Sequence, residues 1–260
     1  MLKKIILSLF FSLALFADDA ARLQKANDLF EEAVKTALSD PDKSQRYYKK
    51  AILNYQFLID EKDYSSAELF TNTANAYFFV GDLGSAIVNY QKALRLDPGN
   101  DDILHNLKFV RSQIVDELPE SFTDKILGIV VFWHSWNLTT RIALFCLLHL
   151  MFWGFIAWGK FHKKEGLCKG VLVSAILGFL MGVSVVFTAI GMDNDVDGVI
   201  TEKEVMARQG NGHIYEPAFM TPLHSGTEFS ILESRENWIY VELSDGSKCW
   251  LPKQSITSVD

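Results

Sequence analysis

The sequence predicts a multi-domain membrane protein: an all-α domain of helical repeats, a two-helix transmembrane hairpin and a small all-β barrel. Three observations support this fold class: a helical motif at 67–100, two uncharged apolar runs at 142–159 and 170–191, and short alternating strands after residue 199. The predicted segments, in chain order, are a signal peptide (1–17), the helical domain (18–120), an amphipathic interfacial segment (121–140), the transmembrane helices (141–160 and 169–191) around a basic cytoplasmic loop (161–168), an acidic linker (192–198) and the barrel (199–260).

The N-terminus has the features of a signal peptide. Lys3 and Lys4 precede an apolar run at 5–17 that is broken only by two serines, and Asp18 begins the polar chain. Because the run is shorter than the ~20 residues of a comfortable membrane span, we expect export with cleavage after Ala17. An uncleaved N-terminal anchor is the alternative.

The two central apolar runs predict transmembrane helices, because each is uncharged over 18 residues or more. The loop between them holds one Glu and four lysines: Lys160, Lys163, Lys164 and Lys169. This excess of lysine predicts a cytoplasmic loop. We therefore expect a protein of the bacterial inner (cytoplasmic) membrane whose N- and C-terminal parts both lie in the periplasm.

Several residues near the lipid bilayer suggest particular roles. Trp133 and Trp136 beside His134 predict a lipid-facing anchor at the headgroup level, with a partner-docking element as the alternative. His149 lies inside the first span, where we expect a neutral imidazole bonded to the neighbouring helix rather than a proton relay. Small residues recur every four positions of the second span and predict close packing, inside the hairpin or with a partner: Gly170, Ser174, Gly178 and Gly182.

Charge and motif content argue against two classes of function. Residues 18–124 hold 12 Lys/Arg against 19 Asp/Glu, and residues 193–260 hold 5 against 12. Acidic exported parts of this kind are not expected to bind nucleic acid, which requires basic residues to displace counterions. The signatures GxSxG, HExxH, GxGxxG and the P-loop are missing from the sequence, so we expect neither an enzyme nor a cofactor.

Residues 67–100 form the clearest motif. Apolar or small residues recur at spacings of three and four on two helices, which Gly81 separates and Pro98 ends: Phe70, Ala74, Tyr77, Ala86, Tyr90 and Ala93. This pattern resembles a tetratricopeptide repeat in which only the Leu is replaced, by Thr73.

Neighbouring segments extend this pattern in both directions. The segments 25–30 and 49–59 echo 73–78 and 84–94, which predicts an earlier helical pair, and 101–117 predicts a capping helix. Such arrays bind protein partners through a concave groove. The candidate partner-binding residues lie on one face of the helix that begins at 67: Glu68, Asn72, Asn75 and Phe79.

The C-terminal part predicts short strands separated by turns at Gly226, 235–237 and 245–246: 227–234, 237–243 and 248–256. Closely spaced strands of this kind suggest a small barrel. The motifs resemble a bacterial SH3 domain in these places: Arg208-Gln209-Gly210, Gly226-Thr227, Trp238 and Trp250-Leu251-Pro252. The family usually has Gly where Cys249 stands, so the turn expected there departs from the family.

The stretch DNDVDGVITEKE at 193–204 has the spacing of an EF-hand calcium loop. Its ligands would be Asp193, Asp195, Asp197, Val199, Thr201 and Glu204. An EF-hand requires a helix on both sides, whereas the barrel requires a strand after the loop. We therefore expect 193–198 to be an acidic connector without a metal, and a single weak calcium site is the alternative.

The order of the parts resembles the BatE-type membrane proteins of the aerotolerance (Bat) operon, over nearly the whole chain. This resemblance implies a non-catalytic scaffold in a membrane complex with von Willebrand A-type Bat proteins and a MoxR-type ATPase. Bacterial SH3 domains often tether proteins to peptidoglycan, so a cell-wall anchor is the rival function. A calcium-responsive membrane adaptor is the third hypothesis.

Overall fold

The computed structural model describes the backbone of five stretches of the chain: 2–116, 136, 138–162, 166–189 and 196–259. Three predictions fall wholly or partly outside these described residues. They concern the interfacial segment 121–140 with Trp133 and His134, the centre of the basic loop at 163–165, and the acidic linker up to residue 195.

Residues 2–111 form a series of helices: α1 (Leu2–Thr36), α2 (Pro41–Asp60), α3 (Ala67–Val80), α4 (Leu83–Leu96) and α5 (Asp101–Arg111). The predicted signal peptide forms the first turns of α1. Side-chain oxygens of four residues accept backbone N–H groups and so fix the starts of α2 to α5: Asp40, Ser66, Asp82 and Asn100. Gly81 ends α3 in the left-handed conformation, with φ of 83°.

Consecutive helices run antiparallel. Ser44 Oγ near the start of α2 donates to the carbonyl of Ala33 near the end of α1, at 2.8 Å. Gln45 Nε2 donates to the carbonyl of Phe79 at the end of α3, at 2.7 Å. The predicted earlier pair is therefore α1–α2, and the motif at 67–100 is the pair α3–α4. Its predicted core positions are buried except Tyr77, which is half-buried.

Helix α5 is shorter than the predicted capping helix at 101–117. The helix ends at Arg111, and the Ser112 N–H bonds the carbonyls of Lys108 and Phe109 to close its last turn. The chain then leaves the helical axis, because the carboxylate of Asp116 is held by hydrogen bonds from the β part. Those longer-range bonds outweigh the local apolar periodicity that predicted a helix to residue 117.

Two further helices pack against each other: α6 (Leu138–His162) and α7 (Gly166–Ala189). Their segments 138–160 and 169–186 are long and apolar enough to cross a membrane. An added Cβ would lie 3.3 Å from Phe155 at Gly170 and 3.0 Å from Phe145 at Gly182. These two glycines of the small-residue stripe therefore allow close packing inside the hairpin.

His149 does not make the expected bond to the neighbouring helix. Its Nε2 accepts the indole N–H of Trp153 at 2.9 Å, one turn along the same helix. The spacing of four residues places both side chains on one face of α6, so the bond forms within the helix.

The C-terminal part is a β structure in which all strand pairs are antiparallel. Its strands are β1 (Gly198–Ile200), β2 (Glu204–Val205), β3 (Leu223–His224), β4 (Glu228–Ser234), β5 (Trp238–Leu243), β6 (Lys248–Pro252) and β7 (Ile256–Ser258). A 3₁₀ turn (Lys253–Ser255) links β6 to β7.

The predicted barrel is not closed within residues 196–259. The main sheet has the order β6-β5-β4-β1-β7, so β6 and β7 are its edges. Strands β2 and β3 contain two residues each and pair with each other, and the single bridge of Arg208 to Trp250 joins this region to β6. Strands this short leave the sheet open.

Cys249 lies within a strand rather than in the turn that the SH3 resemblance suggested. It faces Val241 across β5 and β6 and is 1% exposed. The turn before it is made by Gly246, whose φ is 83°. The departure from the family pattern therefore affects the core of the β part and leaves that turn intact.

The helical and β parts share one hydrophobic core. Val199 of β1 and Val259 near the C-terminus are 0% and 2% exposed and join the buried side chains of α3, α4 and α5. The β part therefore covers the last helices of the array, the position in which a helical repeat requires a cap.

Candidate partner-binding surface

The four predicted partner-binding residues occupy different environments on α3. Glu68 and Phe79 are exposed, whereas Asn72 and Asn75 are half-buried. All four lie on one helix, but two of them are only partly accessible to a partner.

Asn75 has a structural role that the sequence did not reveal. Its Oδ1 accepts the hydroxyl of Tyr90 on α4. Tyr90 is 2% exposed, and burial raises its pKa to about 12. The side-chain amide of Asn72 has no hydrogen-bond partner within the described part of the chain. Of the predicted Asn pair, Asn72 is the one whose side-chain amide remains wholly available to a partner, since Asn75 already uses its oxygen.

An aromatic row surrounds Phe79. Its ring stacks on Tyr48 at 4.9 Å and 10°, and it meets Phe30 and Phe78 edge-on at 6.0 and 5.4 Å. Phe109 continues the row from Phe78 at 5.6 Å. Phe30, Phe78 and Phe109 belong to α1, α3 and α5, the alternate helices of the array.

Phe30 and Phe109 belong to this surface although the sequence pattern did not predict them. Phe79 and Phe109 are 44% and 52% exposed, so the row is open to solvent at two points. The echo of 25–30 in 73–78 aligns Phe30 with Phe78 and was the available signal for the first of them. Aromatic rings in such a position offer apolar contact to a partner without long flexible side chains to order.

Two carboxylates join the helical and β parts. Glu228 of β4 accepts Nε and Nη2 of Arg111 at 2.6 and 2.8 Å and Nε2 of Gln91 at 2.6 Å. Arg111 lies at the end of α5 and Gln91 lies in α4. One side chain of the β part therefore holds the last two helices of the array.

The second carboxylate belongs to Asp116. Its Oδ2 accepts the backbone N–H of His224 and the hydroxyl of Thr227, each at 2.6 Å, and its Oδ1 lies 2.7 Å from His224 Nδ1. Burial opposes ionisation, but the bonds from Thr227 and from the backbone and ring of His224 outweigh it and hold the pKa of Asp116 below its usual 3.8. The negative charge of Asp116 thus stabilises this junction.

The described part of the EF-hand-like stretch is used by the sheet. The Oδ2 of Asp197 accepts the backbone N–H of Ile231 at 2.7 Å, Val199 lies in β1 and Glu204 lies in β2. Asp193 and Asp195 lie outside the described residues. Within residues 196–259 and the other described stretches, no group of three His, Cys, Asp or Glu side chains is placed to hold a metal ion.

Comparison with known protein families gives a match over part of the chain. Residues 74–110, from the second half of α3 to the end of α5, match the family model of the TPR repeat. No curated protein matches the chain. TPR repeats mediate protein–protein interactions, and the matched residues include Phe78, Phe79 and Phe109 of the aromatic row and Gln91, which contacts the β part.

Proposed function

We propose that this chain is a membrane-anchored adaptor that binds a protein partner through its helical array and has no catalytic activity of its own. The match to the TPR repeat supports a role in protein–protein interaction. The observation that carries the proposal is the surface of α3, where the free amide of Asn72 and the exposed ring of Phe79 lie on one helix beside the aromatic row. This combination supplies both hydrogen bonds and apolar contact to a peptide segment.

The shared core supports a particular membrane topology. The helical part precedes α6 and α7 in the chain, and the β part follows them, yet the two parts pack together. They must therefore lie on one side of the membrane, which a two-helix hairpin satisfies. The lysines of the short loop favour the cytoplasm for that loop, so the folded parts belong on the periplasmic side.

Topology is tested with alkaline phosphatase fusions in the bacterial inner membrane. We expect a fusion after Asp260 to be active and a fusion at Lys164 to be inactive, because the enzyme folds only outside the cytoplasm. The reverse pattern of activities would contradict the proposed orientation.

The finer proposal is that the partner is another Bat-type membrane protein. The order of helical repeats, two apolar helices and a C-terminal β part supports a BatE-type scaffold beside von Willebrand A-type proteins and a MoxR-type ATPase. In that complex the chain would hold partners together at the periplasmic face of the membrane.

The adaptor function is tested by recovery of cross-linked partners from membranes. We expect Asn72→Ala combined with Phe79→Ala to abolish recovery of the partner while the fold is retained. The matched control is Asn54→Ala with Leu53→Ala, a half-buried Asn and an exposed Leu on α2. Equal recovery with both double variants would contradict the assignment of the α3 surface.

One observation favours a second use of the β part, as a peptidoglycan anchor. Ile214 and Met220, between β2 and β3, are 93% and 104% exposed, so this connection presents two apolar side chains for contact with wall material. The full chain in detergent is the correct reagent, because an isolated β part would expose Val199 and Val259. The unmodified chain and a double variant, Ile214→Asp with Met220→Asp, are incubated with purified wall material. Retention of the unmodified chain that is lost in the double variant would favour the anchor. No retention of the unmodified chain would favour the adaptor.

A further inference from the structure

The outer face of α2 carries a patch of basic side chains. The patch consists of four exposed residues within the first half of the helix: Lys43, Arg46, Lys49 and Lys50. None of the four has an acidic partner within the described residues. Some other cations of the described residues are paired, for example Lys62 with Asp19 at 3.0 Å, and the lysines without an acidic partner elsewhere, such as Lys25 and Lys108, are not clustered in this way. Asp40 and Asp42 lie at the start of the same helix, so residues 40–50 hold four cations against two carboxylates and stay net positive on a chain whose net charge is −7.

The helical spacing aligns three of these cations. Lys43, Arg46 and Lys50 follow one another at steps of three and four, so they lie on one face over about 10 Å of helix. Tyr47 lies beside them, with its ring centroid 5.7 Å from Lys43 Nζ and 6.0 Å from Lys50 Nζ. The ring restrains both ammonium groups near its face, which keeps the positive charge concentrated.

We propose that this basic patch binds an acidic segment of the protein partner; the inference rests on the adaptor function proposed above. An extended segment rises about 3.3 Å per residue and presents every second side chain on one face. Alternate Asp or Glu residues of such a segment would therefore stand about 7 Å apart. The aligned cations are separated by about 4.5 and 6 Å along the axis of α2. The two spacings are similar enough for three charge pairs to form.

The position of the patch favours a protein over the membrane surface. The turn after α4 faces the hairpin, because a Cβ at Gly99 would overlap the side chain of Leu138 at the start of α6. Since α2 and α4 run parallel, Asp60 lies at this same end and the patch lies in the other half of α2. The centre of the patch is about 20 Å from Asp60 at 1.5 Å per residue. This distance exceeds two Debye lengths of ~8 Å at physiological salt, so salt screens the attraction between the patch and lipid headgroups at the Asp60 end.

The acidic character of the remaining surface would orient such a partner. An acidic segment is repelled by most of the exported surface and attracted by the patch, so the encounter is guided to α2. Lys43 and Arg46 lie near Gln45, which bonds the end of α3 beside Phe79. A partner seated on the α3 surface could therefore extend its acidic segment across this end of the array.

The test measures binding of fluorescein-labelled deca-glutamate to the full chain in zwitterionic nanodiscs by fluorescence anisotropy at low salt. The patch variant is Lys43→Glu, Arg46→Glu and Lys50→Glu. The matched control is Lys25→Glu, Lys108→Glu and Lys203→Glu, three exposed lysines on other elements with the same change in net charge. We expect the patch variant to raise Kd at least about tenfold and the control to raise it less than about threefold, since exposed charge pairs contribute modestly.

Three outcomes would overturn the proposal. Equal weakening by both variants would attribute binding to net charge, and absence of binding by the unmodified chain would remove the acidic-segment partner. Tighter, patch-dependent binding of phosphatidylglycerol vesicles would make the face a membrane contact instead. Partner recovery that still depends on Asn72 and Phe79 would show that only this inference, and not the adaptor function, has failed.

Discussion

Replacing Glu228 by Ala is the perturbation that most directly tests the junction between the helical and β parts. The Glu228 side chain is 11% exposed, and Gln91, one of its partners, is 1% exposed. The substitution leaves the Gln91 amide buried without an acceptor and Arg111 without its carboxylate. Both consequences destabilise the folded state, but by different amounts.

The larger cost comes from Gln91. A buried donor left without a partner costs about 1–3 kcal/mol. The Arg111 side chain is 41% exposed, so water screens its pair with Glu228 and the lost attraction is about 1 kcal/mol or less. We therefore expect Glu228→Ala to lower the free energy of unfolding by about 1–4 kcal/mol, which at about 2–4 °C per kcal/mol is a fall in Tm of about 2–16 °C for a chain of this size.

The assay is thermal unfolding of the full chain in detergent, followed by circular dichroism. Glu233→Ala is the matched control, because Glu233 lies in the same strand and pairs with Arg235 at the same 2.6 Å, but both side chains are about half exposed. We expect the control to shift Tm by less than about 2 °C. Equal shifts for the two variants would refute the inference that the junction is a buried, cooperative contact.

Three further outcomes follow from the same contacts. Asn75→Ala should destabilise the array by about 1–3 kcal/mol, because it leaves the buried Tyr90 hydroxyl without its acceptor, whereas Asn72→Ala should leave Tm within about 2 °C; similar melting of the two variants would contradict this. The carboxylate of Asp116 stabilises the fold above its unfolded pKa of 3.8, because its folded pKa is lower. This stabilisation is lost as pH falls through the folded pKa. Tm should therefore fall less steeply below about pH 5 in Asp116→Asn than in the unmodified chain. Burial raises the pKa of Cys249 to about 12, so a maleimide at pH 8 should label this cysteine only after unfolding, as located by peptide mass spectrometry. Labelling of Cys249 in the folded chain would show that β6 is open.

The local elements were largely predictable from the sequence. The repeat at 67–100 carries its turn at Gly81 and its core spacing in a single continuous stretch, so α3 and α4 follow from helical periodicity. The turn at Gly246 and the strands beside it follow from alternation and turn chemistry. In each case the residues that determine the element are neighbours in the chain.

The contacts between distant segments were not predictable in the same way. Asp116 and His224 are more than 100 positions apart, and no local pattern indicates that they meet. Val199 is a single valine in the short strand β1 and Val259 directly follows β7, yet they complete the core of helices that precede α6 in the chain. The separate barrel expected from sequence alternation was therefore an incomplete description of a β part that packs on the helical array.

The central claim, that the α3 surface holds a protein partner, is tested most directly by site-specific photo-crosslinking in living cells. A benzoylphenylalanine at position 79 would project from the aromatic row, and one at position 215, where Tyr215 is 45% exposed, would sample the β part to a similar degree. We predict a discrete crosslinked product from position 79 and none from position 215. A product from position 215 alone would contradict the adaptor surface and assign binding to the β part.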